Sequence, residues 1–221
     1  MITRRNTLTA GCFALLLISG YDAMGDDDDS NRVNGSIHVP AGKAATDVKT
    51  VNGSITVDDN GTINAAGTVN GGIKLGAHAR ATTLKTVNGG IALGSGAHAA
   101  AASTVNGAMK LDDGADLAGR LSNVNGNISL TNAHVGGGIE TTNGDISITG
   151  GSHVEGGLEV DETSGTRFYS SDPVIIIGPG AAVQGDLLFK RKVKLYVSDH
   201  AKIGRVTGAT PITFSGDTPP L

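Results

Sequence analysis

The feature that most constrains the fold is a short motif, Thr-Val-Asn-Gly followed by two alternating apolar residues, as in 86–93. The motif recurs along most of the chain, and successive motif asparagines lie 18, 18, 18, 18, 19 and 18 residues apart. These asparagines are Asn34, Asn52, Asn70, Asn88, Asn106, Asn125 and Asn143. A fixed period of this length is typical of solenoids, in which each repeat forms one coil.

Each repeat contains three short groups of apolar residues, which predicts three strands per coil. The first group alternates as inward residues of a strand do, for example Ile55 and Val57 around Thr56. Two further apolar columns follow: Ala45, Ile63, Ala81, Ala99, Leu117, Val135 and Val154, then Val48, Ala66, Leu84, Ala102, Leu121, Ile139 and Leu158. We therefore predict an all-β chain that forms a single-stranded parallel β-helix, a β-solenoid, with a triangular cross-section and about 18 residues per coil.

The Asn-Gly pair in each repeat predicts a sharp turn, because both residues tolerate a positive φ. In stacked coils the seven asparagines would lie one above another at the spacing of neighbouring strands, about 4.8 Å. We expect their amides to hydrogen-bond along the stack as a structural ladder, and we expect an interior member to be buried. A row of asparagines that binds a ligand is the less economical interpretation.

The composition agrees with a thin core and contains few of the residue patterns that catalytic sites need. The chain has 34 glycines and only 3% aromatic residues, and its net charge is −4, which gives no reason to expect a nucleic-acid partner. No Phe, Tyr or Trp occurs between residues 26 and 167. We find no nucleophile–base pair, phosphate-binding loop or zinc-protease motif, so the sequence favours a protein that is not an enzyme and needs no cofactor.

The amino-terminal residues predict export. Arg4 and Arg5 precede an apolar run from Cys12 to Ile18, and Ala23 and Gly25 fit the small residues of a cleavage site. A lipoprotein signal at Cys12 and a twin-arginine signal are the alternatives. The apolar run is too short to span a membrane, so we expect no transmembrane segment in the mature chain and a location in the periplasm or at the cell surface.

The expected organisation has five parts. They are a signal peptide at 1–25, an acidic flexible leader at 26–31, a seven-coil solenoid at 32–160, an insertion followed by further coils and a cap at 161–210, and a tail at 211–221.

Two stretches resemble known families. The Thr-Val-Asn-Gly-x-Ile-x-Leu repeats of about 32–160 resemble the β-strand-repeat, adhesin-like family of bacterial envelope proteins. Ile175-x-Ile177-Gly178-x-Gly180-Ala181-x-Val183-x-Gly185-x-Leu187, within coils at about 174–206, is similar to bactofilins, which are polymer-forming proteins with a right-handed triangular β-helix. The resemblances imply a right-handed solenoid that acts as a structural or adhesin-like element of the bacterial cell envelope.

An alternative function is a module that binds carbohydrate or another envelope polymer through a basic and aromatic patch, although the same residues could simply cap the last coil. The patch residues are Phe189, Lys190, Arg191, Lys192, Lys194 and Tyr196. The candidate partners are therefore an envelope polysaccharide or a second copy of the chain. A second copy would join head to tail, because acidic residues 26–29 and the basic residues lie towards opposite ends.

One outward column carries residues that could bind a metal ion. His98, Asp116, His134 and His153 each precede an inward residue, so strand alternation places them side by side on the surface. Two neighbouring imidazoles could share one ion, and four solvated side chains are the simpler interpretation.

Overall fold

The computed structural model describes residues 31–162 and 172–220, and within them it contains strands and no helix. The strands are β1 Asn31–Asn34, β2 Ile37–Val39, β3 Asp47–Asn52, β4 Ile55–Val57, β5 Ala65–Asn70, β6 Ile73–Leu75, β7 Arg80–Asn88, β8 Ile91–Leu93, β9 His98–Asn106, β10 Met109–Leu111, β11 Asp116–Leu117, β12 Leu121–Asn125, β13 Ile128–Thr131, β14 His134–Val135, β15 Ile139–Thr141, β16 Ile146–Thr149, β17 His153–Val154, β18 Leu158–Val160, β19 Val174–Ile177, β20 Ala182–Val183, β21 Leu187–Phe189, β22 Lys194–Ser198, β23 Lys202–Ile203, β24 Val206–Thr207 and β25 Pro211–Phe214.

All strand pairs are parallel, and the chain is a β-solenoid of about ten coils, which confirms the predicted fold class. One sheet has ten strands, in the order β2-β4-β6-β8-β10-β13-β16-β19-β22-β25. We number the coils one to ten by these strands. The register follows the sequence period, so that Ile55 pairs with Ile73 and Ile73 with Ile91.

A second sheet of 15 strands supplies the other two faces of the coil. Beyond β9 it divides into two arms, β11-β14-β17-β20-β23 and β12-β15-β18-β21-β24. The inward residues of the three faces form one continuous core, in which Leu75, Leu93 and Leu111 are fully buried. Each coil thus buries its apolar residues against the coils before and after it.

The motif threonines point inward and the motif valines point outward, which the apolar pattern did not predict. Thr50 and Thr68 are buried, whereas Val33 and Val51 are 50% and 37% exposed. The inward residue Val48 sets this alternation in β3, because every second residue of a strand faces the same side.

The motif glycines are required by close stacking more than by turn geometry. A β-carbon built on Gly71 would lie 1.9 Å from the carbonyl oxygen of Gly53, and one on Gly89 would lie 2.0 Å from that of Gly71. Only Gly35 and Gly126 among the motif glycines have the left-handed φ that the Asn-Gly pair predicts, at 115° and 129°. The prediction of a positive φ is therefore wrong for the other motif turns.

The ends of the chain differ from the expected organisation in one respect. Pro211–Phe214 pair with β22, so the predicted tail instead begins with a strand of the tenth coil. The predicted signal peptide at 1–25 and acidic residues 26–30 lie outside the described residues, as do residues 163–171 of the insertion. In the described ranges, no helix is long and apolar enough to cross a membrane.

Candidate functional site

The seven motif asparagines form an uninterrupted ladder along one corner of the solenoid. In each step the Nδ2 group donates to Oδ1 of the asparagine one coil earlier, over 2.8–3.0 Å, from Asn52→Asn34 to Asn143→Asn125. The predicted hydrogen bonding is confirmed. The expected burial is wrong, because every member from Asn34 to Asn125 is exposed to solvent and Asn143 is only partly covered.

A buried arginine closes the carboxyl end of the ladder. Arg191 is 6% exposed, and its Nη1 donates to Asn143 Oδ1 and, over 3.1 Å, to the carbonyl oxygen of Thr142. It therefore satisfies the last ladder acceptor with a charged donor from the corner that precedes coil nine. No local pattern could have predicted this contact, since 48 residues separate Arg191 from Asn143.

A second ladder, formed by the motif threonines, runs inside the same corner. The Oγ1 hydroxyls of Thr50, Thr68, Thr86 and Thr104 each donate, over 2.9 Å, to the carbonyl oxygen of the motif glycine one coil earlier. Each bond gives a turn carbonyl oxygen a side-chain donor from the inner face of the corner.

The inner ladder has a fault where Asn123 replaces threonine. Asn123 Nδ2 donates to the carbonyl oxygens of both Gly107 and Gly126, each over 2.9 Å. The equivalent acceptor for Thr141 would be the carbonyl oxygen of Gly126, to which Asn123 already donates. Within the described residues, Asn123 Oδ1 and Thr141 Oγ1 are buried without a hydrogen-bond partner. The fault coincides with the single 19-residue step of the repeat.

The predicted basic and aromatic patch is not a shared surface. Phe189 is 4% exposed and belongs to the core, and Tyr196 is 7% exposed, so neither ring forms an open platform for a ligand. Arg191 is committed to the asparagine ladder. The prediction fails because alternate residues of β21 and of the following segment face opposite sides.

The lysines of the patch lie close to acidic residues. Lys190 Nζ lies 2.5 Å from Glu159 Oε1 and 2.7 Å from Asp161 Oδ1, and hydrogen bonds to Asp161 and then Glu159 raise the pKa of Lys190. Lys192 Nζ lies 3.0 Å from Asp172 Oδ2, and Lys194 is exposed at the start of β22. Two of the cations expected to attract an anionic polymer are thus paired within the chain.

The predicted column of His98, Asp116, His134 and His153 is present in register on adjacent strands. Asp116 lies between two imidazoles, with Oδ2 3.1 Å from His98 Nδ1 and Oδ1 2.5 Å from His134 Nδ1. The rings of His134 and His153 stack with centroids 6.0 Å apart. No group of three or more such ligands in residues 31–162 and 172–220 is arranged to hold a metal ion.

His134 of this column contacts two carboxylates. Its Nε2 lies 3.3 Å from Glu155 Oε1, so both ring nitrogens face carboxylate oxygens, which can only accept hydrogen bonds. The hydrogen bond to Asp116, assisted by that to Glu155, raises the pKa of His134 above 6.5 although burial opposes the shift. Burial raises the pKa of Asp116, but hydrogen bonds from His134 and His98 outweigh it and lower the net pKa below 3.8.

The concave surfaces near these columns are shallow. One groove beside β20 is lined by His153, Gln184, His200 and Lys202, together with residues 180–183 and Ile203. Another lies on the ten-stranded sheet across Gly72, Gly90 and Ala108. Both are open to solvent and neither carries a nucleophile beside a general base. Comparison of the chain with protein-family models, with curated proteins and with solved structures found no match.

Proposed function

We propose that this chain is a non-enzymatic, exported β-solenoid that serves as a structural or adhesin-like element of the bacterial cell envelope. The observation that carries the proposal is the unbroken ten-stranded sheet, in which each interior coil pairs with the coil before and the coil after it. Ten coils at the usual spacing of strands extend about 45 Å, and backbone bonds in all three faces resist bending of that rod.

The polar residues on the surface support a structural role. The exposed asparagines bind one another, Asp116 and His134 bind each other, and Lys190 binds two carboxylates. Such groups hold neighbouring coils in register. A catalytic site instead needs polar groups directed into a cleft where a substrate can reach them.

The repeating surface supports the adhesin-like form of this role. Along the ten-stranded sheet, equivalent outward positions recur once per coil, for example Thr56, Lys74 and Lys110. A surface that repeats at the strand spacing can bind a long polymer or a flat envelope layer through many weak contacts at once. Export is supported by the composition of residues 1–25.

Cell fractionation tests this proposal. The full chain carrying a carboxyl-terminal epitope tag would be expressed in a Gram-negative host beside a variant that lacks residues 1–25, with periplasmic and cytoplasmic marker proteins as controls. We expect the full chain in the periplasmic, envelope or surface fraction and the variant in the cytoplasm. Recovery of both forms in the cytoplasm would contradict the proposal.

A further inference from the structure

The outer ladder is built from a dipeptide that is chemically labile. In an Asn-Gly sequence the backbone nitrogen of glycine can attack the side-chain carbonyl carbon of asparagine, because glycine has no side chain to obstruct the approach. All seven ladder asparagines are followed by glycine, and six of them are exposed to water. Each is therefore a potential deamidation site unless its local structure prevents the reaction.

In the regular coils the attacking nitrogen is already hydrogen-bonded. The glycine N–H donates to the backbone carbonyl oxygen of the asparagine one coil later, over 2.8–3.1 Å. The pairs are Gly35→Asn52, Gly53→Asn70, Gly71→Asn88, Gly89→Asn106 and Gly107→Asn125. The nitrogen must lose its proton and turn towards the side chain to react, so breaking this bond adds to the barrier.

Gly126 lacks this protection. The backbone N–H of Asn143 donates to the carbonyl oxygen of Val124 over 2.8 Å, and no acceptor within residues 31–162 or 172–220 bonds the nitrogen of Gly126. Gly126 also has a φ of 129°, unlike Gly53, Gly71, Gly89 and Gly107. The fault in the inner ladder lies beside it, where Asn123 Oδ1 and Thr141 Oγ1 are buried with no hydrogen-bond partner in the described part of the chain.

We propose that Asn125–Gly126 is a spontaneous modification site at which the folded chain deamidates first. The Gly126 nitrogen forms a bond to Asn125 Cγ, the bond from Cγ to Nδ2 breaks, and the displaced nitrogen leaves as ammonia with the proton that Gly126 gives up. The resulting cyclic imide then takes up one water molecule and opens to aspartate or isoaspartate. The reaction needs no enzyme and no redox partner.

Asn143–Gly144 is the next candidate in order. The Gly144 nitrogen also has no acceptor in the described part of the chain. Gly144 is buried, however, and Arg191 donates to both Asn143 Oδ1 and the Thr142 carbonyl oxygen, which holds this asparagine in place. Gly126 is partly open to solvent, so hydroxide reaches it more readily.

Deamidation at 125 would interrupt the outer ladder. Asn125 Nδ2 is the donor to Asn106 Oδ1 over 2.8 Å, and a carboxylate at this position has no proton to give. Two acceptor oxygens would then face each other between coils five and six. Isoaspartate would also add a methylene group to the backbone at a turn where the coils are in direct contact.

Peptide mass spectrometry on aged protein tests the assignment. Purified folded protein is incubated at mildly alkaline pH and digested with trypsin, and conversion is measured in peptide 121–167, which holds Asn125 and Asn143, and in peptide 86–110, which holds Asn88 and Asn106. A parallel sample in concentrated urea gives the intrinsic rate of each site. In the folded sample we expect Asn125 to convert about tenfold faster than Asn88 or Asn106, as loss of one protecting hydrogen bond allows.

The urea sample makes the result interpretable, because there the Asn-Gly sites should react at similar rates. Conversion of Asn125 in the folded protein at the same rate as Asn88 would overturn the assignment, as would faster conversion at Asn143. An Asn125→Gln variant should abolish the rapid component of ammonia release and leave the slower sites unchanged. Retention of the rapid component in that variant would also overturn it.

Discussion

Coils one to seven and coils eight to ten stack in the same sheets, but different side chains hold them together. In the first region, the motif asparagines repeat every 18 residues with one 19-residue step, and each bonds to its own copy in the neighbouring coil. In the second, the steps between paired residues are 29, 20 and 16 residues, from Ile146 to Ile175, Leu195 and Pro211. There Phe189 fills the core and Arg191 and Lys190 supply charged contacts.

The difference shows what an in-register ladder requires. A side chain can bond to its own copy only if every coil returns to the same height and angle, which a constant repeat length ensures. Once an insertion enters, as between Val160 and Val174, the copies no longer coincide. Larger side chains with longer reach then make the connection, and Arg191 does so from the corner before coil nine to Asn143 before coil seven.

The largest effect should come from the close backbone contact between motif glycines, which occur only in the first region. Gly71→Ala would place a β-carbon 1.9 Å from the carbonyl oxygen of Gly53, so coils must separate locally. We expect a loss of about 3 kcal/mol or more in the free energy of unfolding, measured by urea denaturation.

The neighbouring Gly72→Ala is the matched control. Its β-carbon would meet the Gly90 carbonyl oxygen at 3.2 Å, and the equivalent positions already hold Ser54 and Ala108. We expect a loss below about 1 kcal/mol. Equal losses in the two variants would show that the close glycine contact does not hold the coils.

The inner ladder allows a comparison between a regular coil and its last, faulty one. Thr86→Val removes a buried hydroxyl that donates to the Gly71 carbonyl oxygen, and should cost about 1–2 kcal/mol because that acceptor loses this hydrogen bond. Thr141→Val removes a hydroxyl that has no hydrogen-bond partner among the described residues, and should be neutral or stabilising. Calorimetric melting of both variants measures these losses of stability. A greater loss for Thr141→Val than for Thr86→Val would contradict the stabilising role of the inner ladder.

The outer ladder should contribute less than a buried network, since water competes for its amides. Asn88 takes part in two ladder bonds of 2.9 and 3.0 Å, and Asn88→Ala breaks both. We expect a loss of about 1 kcal/mol in thermal or urea unfolding, with the exposed Thr82→Ala as control. If Asn88→Ala and Thr82→Ala are alike, the ladder fixes register without adding stability.

The smallest effect should be a dependence on pH from the histidine column. A raised pKa of His134 means that its stabilising contribution is complete below pH 6.5 and is lost as the pH rises through the raised value. A lowered pKa of Asp116 means that its contribution is present above pH 3.8 and is lost as the pH falls through the lowered value. Both are therefore present between pH 3.8 and 6.5.

The partners are partly exposed, so the effect should be about 0.2–1 kcal/mol. The groups facing His134 are Asp116 and Glu155, with His98 and His153 beyond them. We expect wild type to lose stability relative to His134→Gln as the pH is raised above 6.5 in unfolding titrations. Parallel pH profiles for the two proteins would contradict the raised pKa of His134.

The sequence predicted the features that recur in every coil, and it did not predict the contacts that occur only once. Ile55 and Val57 alternate with an outward residue, which identifies the inward face of their strand. His98, Asp116 and His134 occupy the same position in successive coils, so the register of these strands follows directly from the sequence. Thr and Val are both β-branched and suit strands, so their order in the motif could not show which one faces inward.

The residues of the predicted polymer-binding patch do not share one surface, and the reason is physical. Phe189 and Lys190 are adjacent in sequence, but consecutive residues of a strand face opposite sides, so one enters the core and the other pairs with Glu159. The contact between Arg191 and Asn143 depends on how the chain returns after the insertion, which no local pattern encodes.

The central claim is that both regions form one continuous stack, and a pair of spin-label distances tests it most directly. Labels at outward positions Thr56 and Ser147, in coils two and seven, should lie about 24 Å apart, which is five strand spacings. Labels at Thr56 and Ile212, in coils two and ten, should lie about 38 Å apart, which is eight spacings.

Both pairs would be introduced in a Cys12→Ser background, because Cys12 is the single cysteine of the chain. Two narrow distance distributions that differ by about 14 Å are the expected result. A narrow distribution for the first pair together with a broad or shorter one for the second would show that coils eight to ten do not continue the stack, and would contradict the claim.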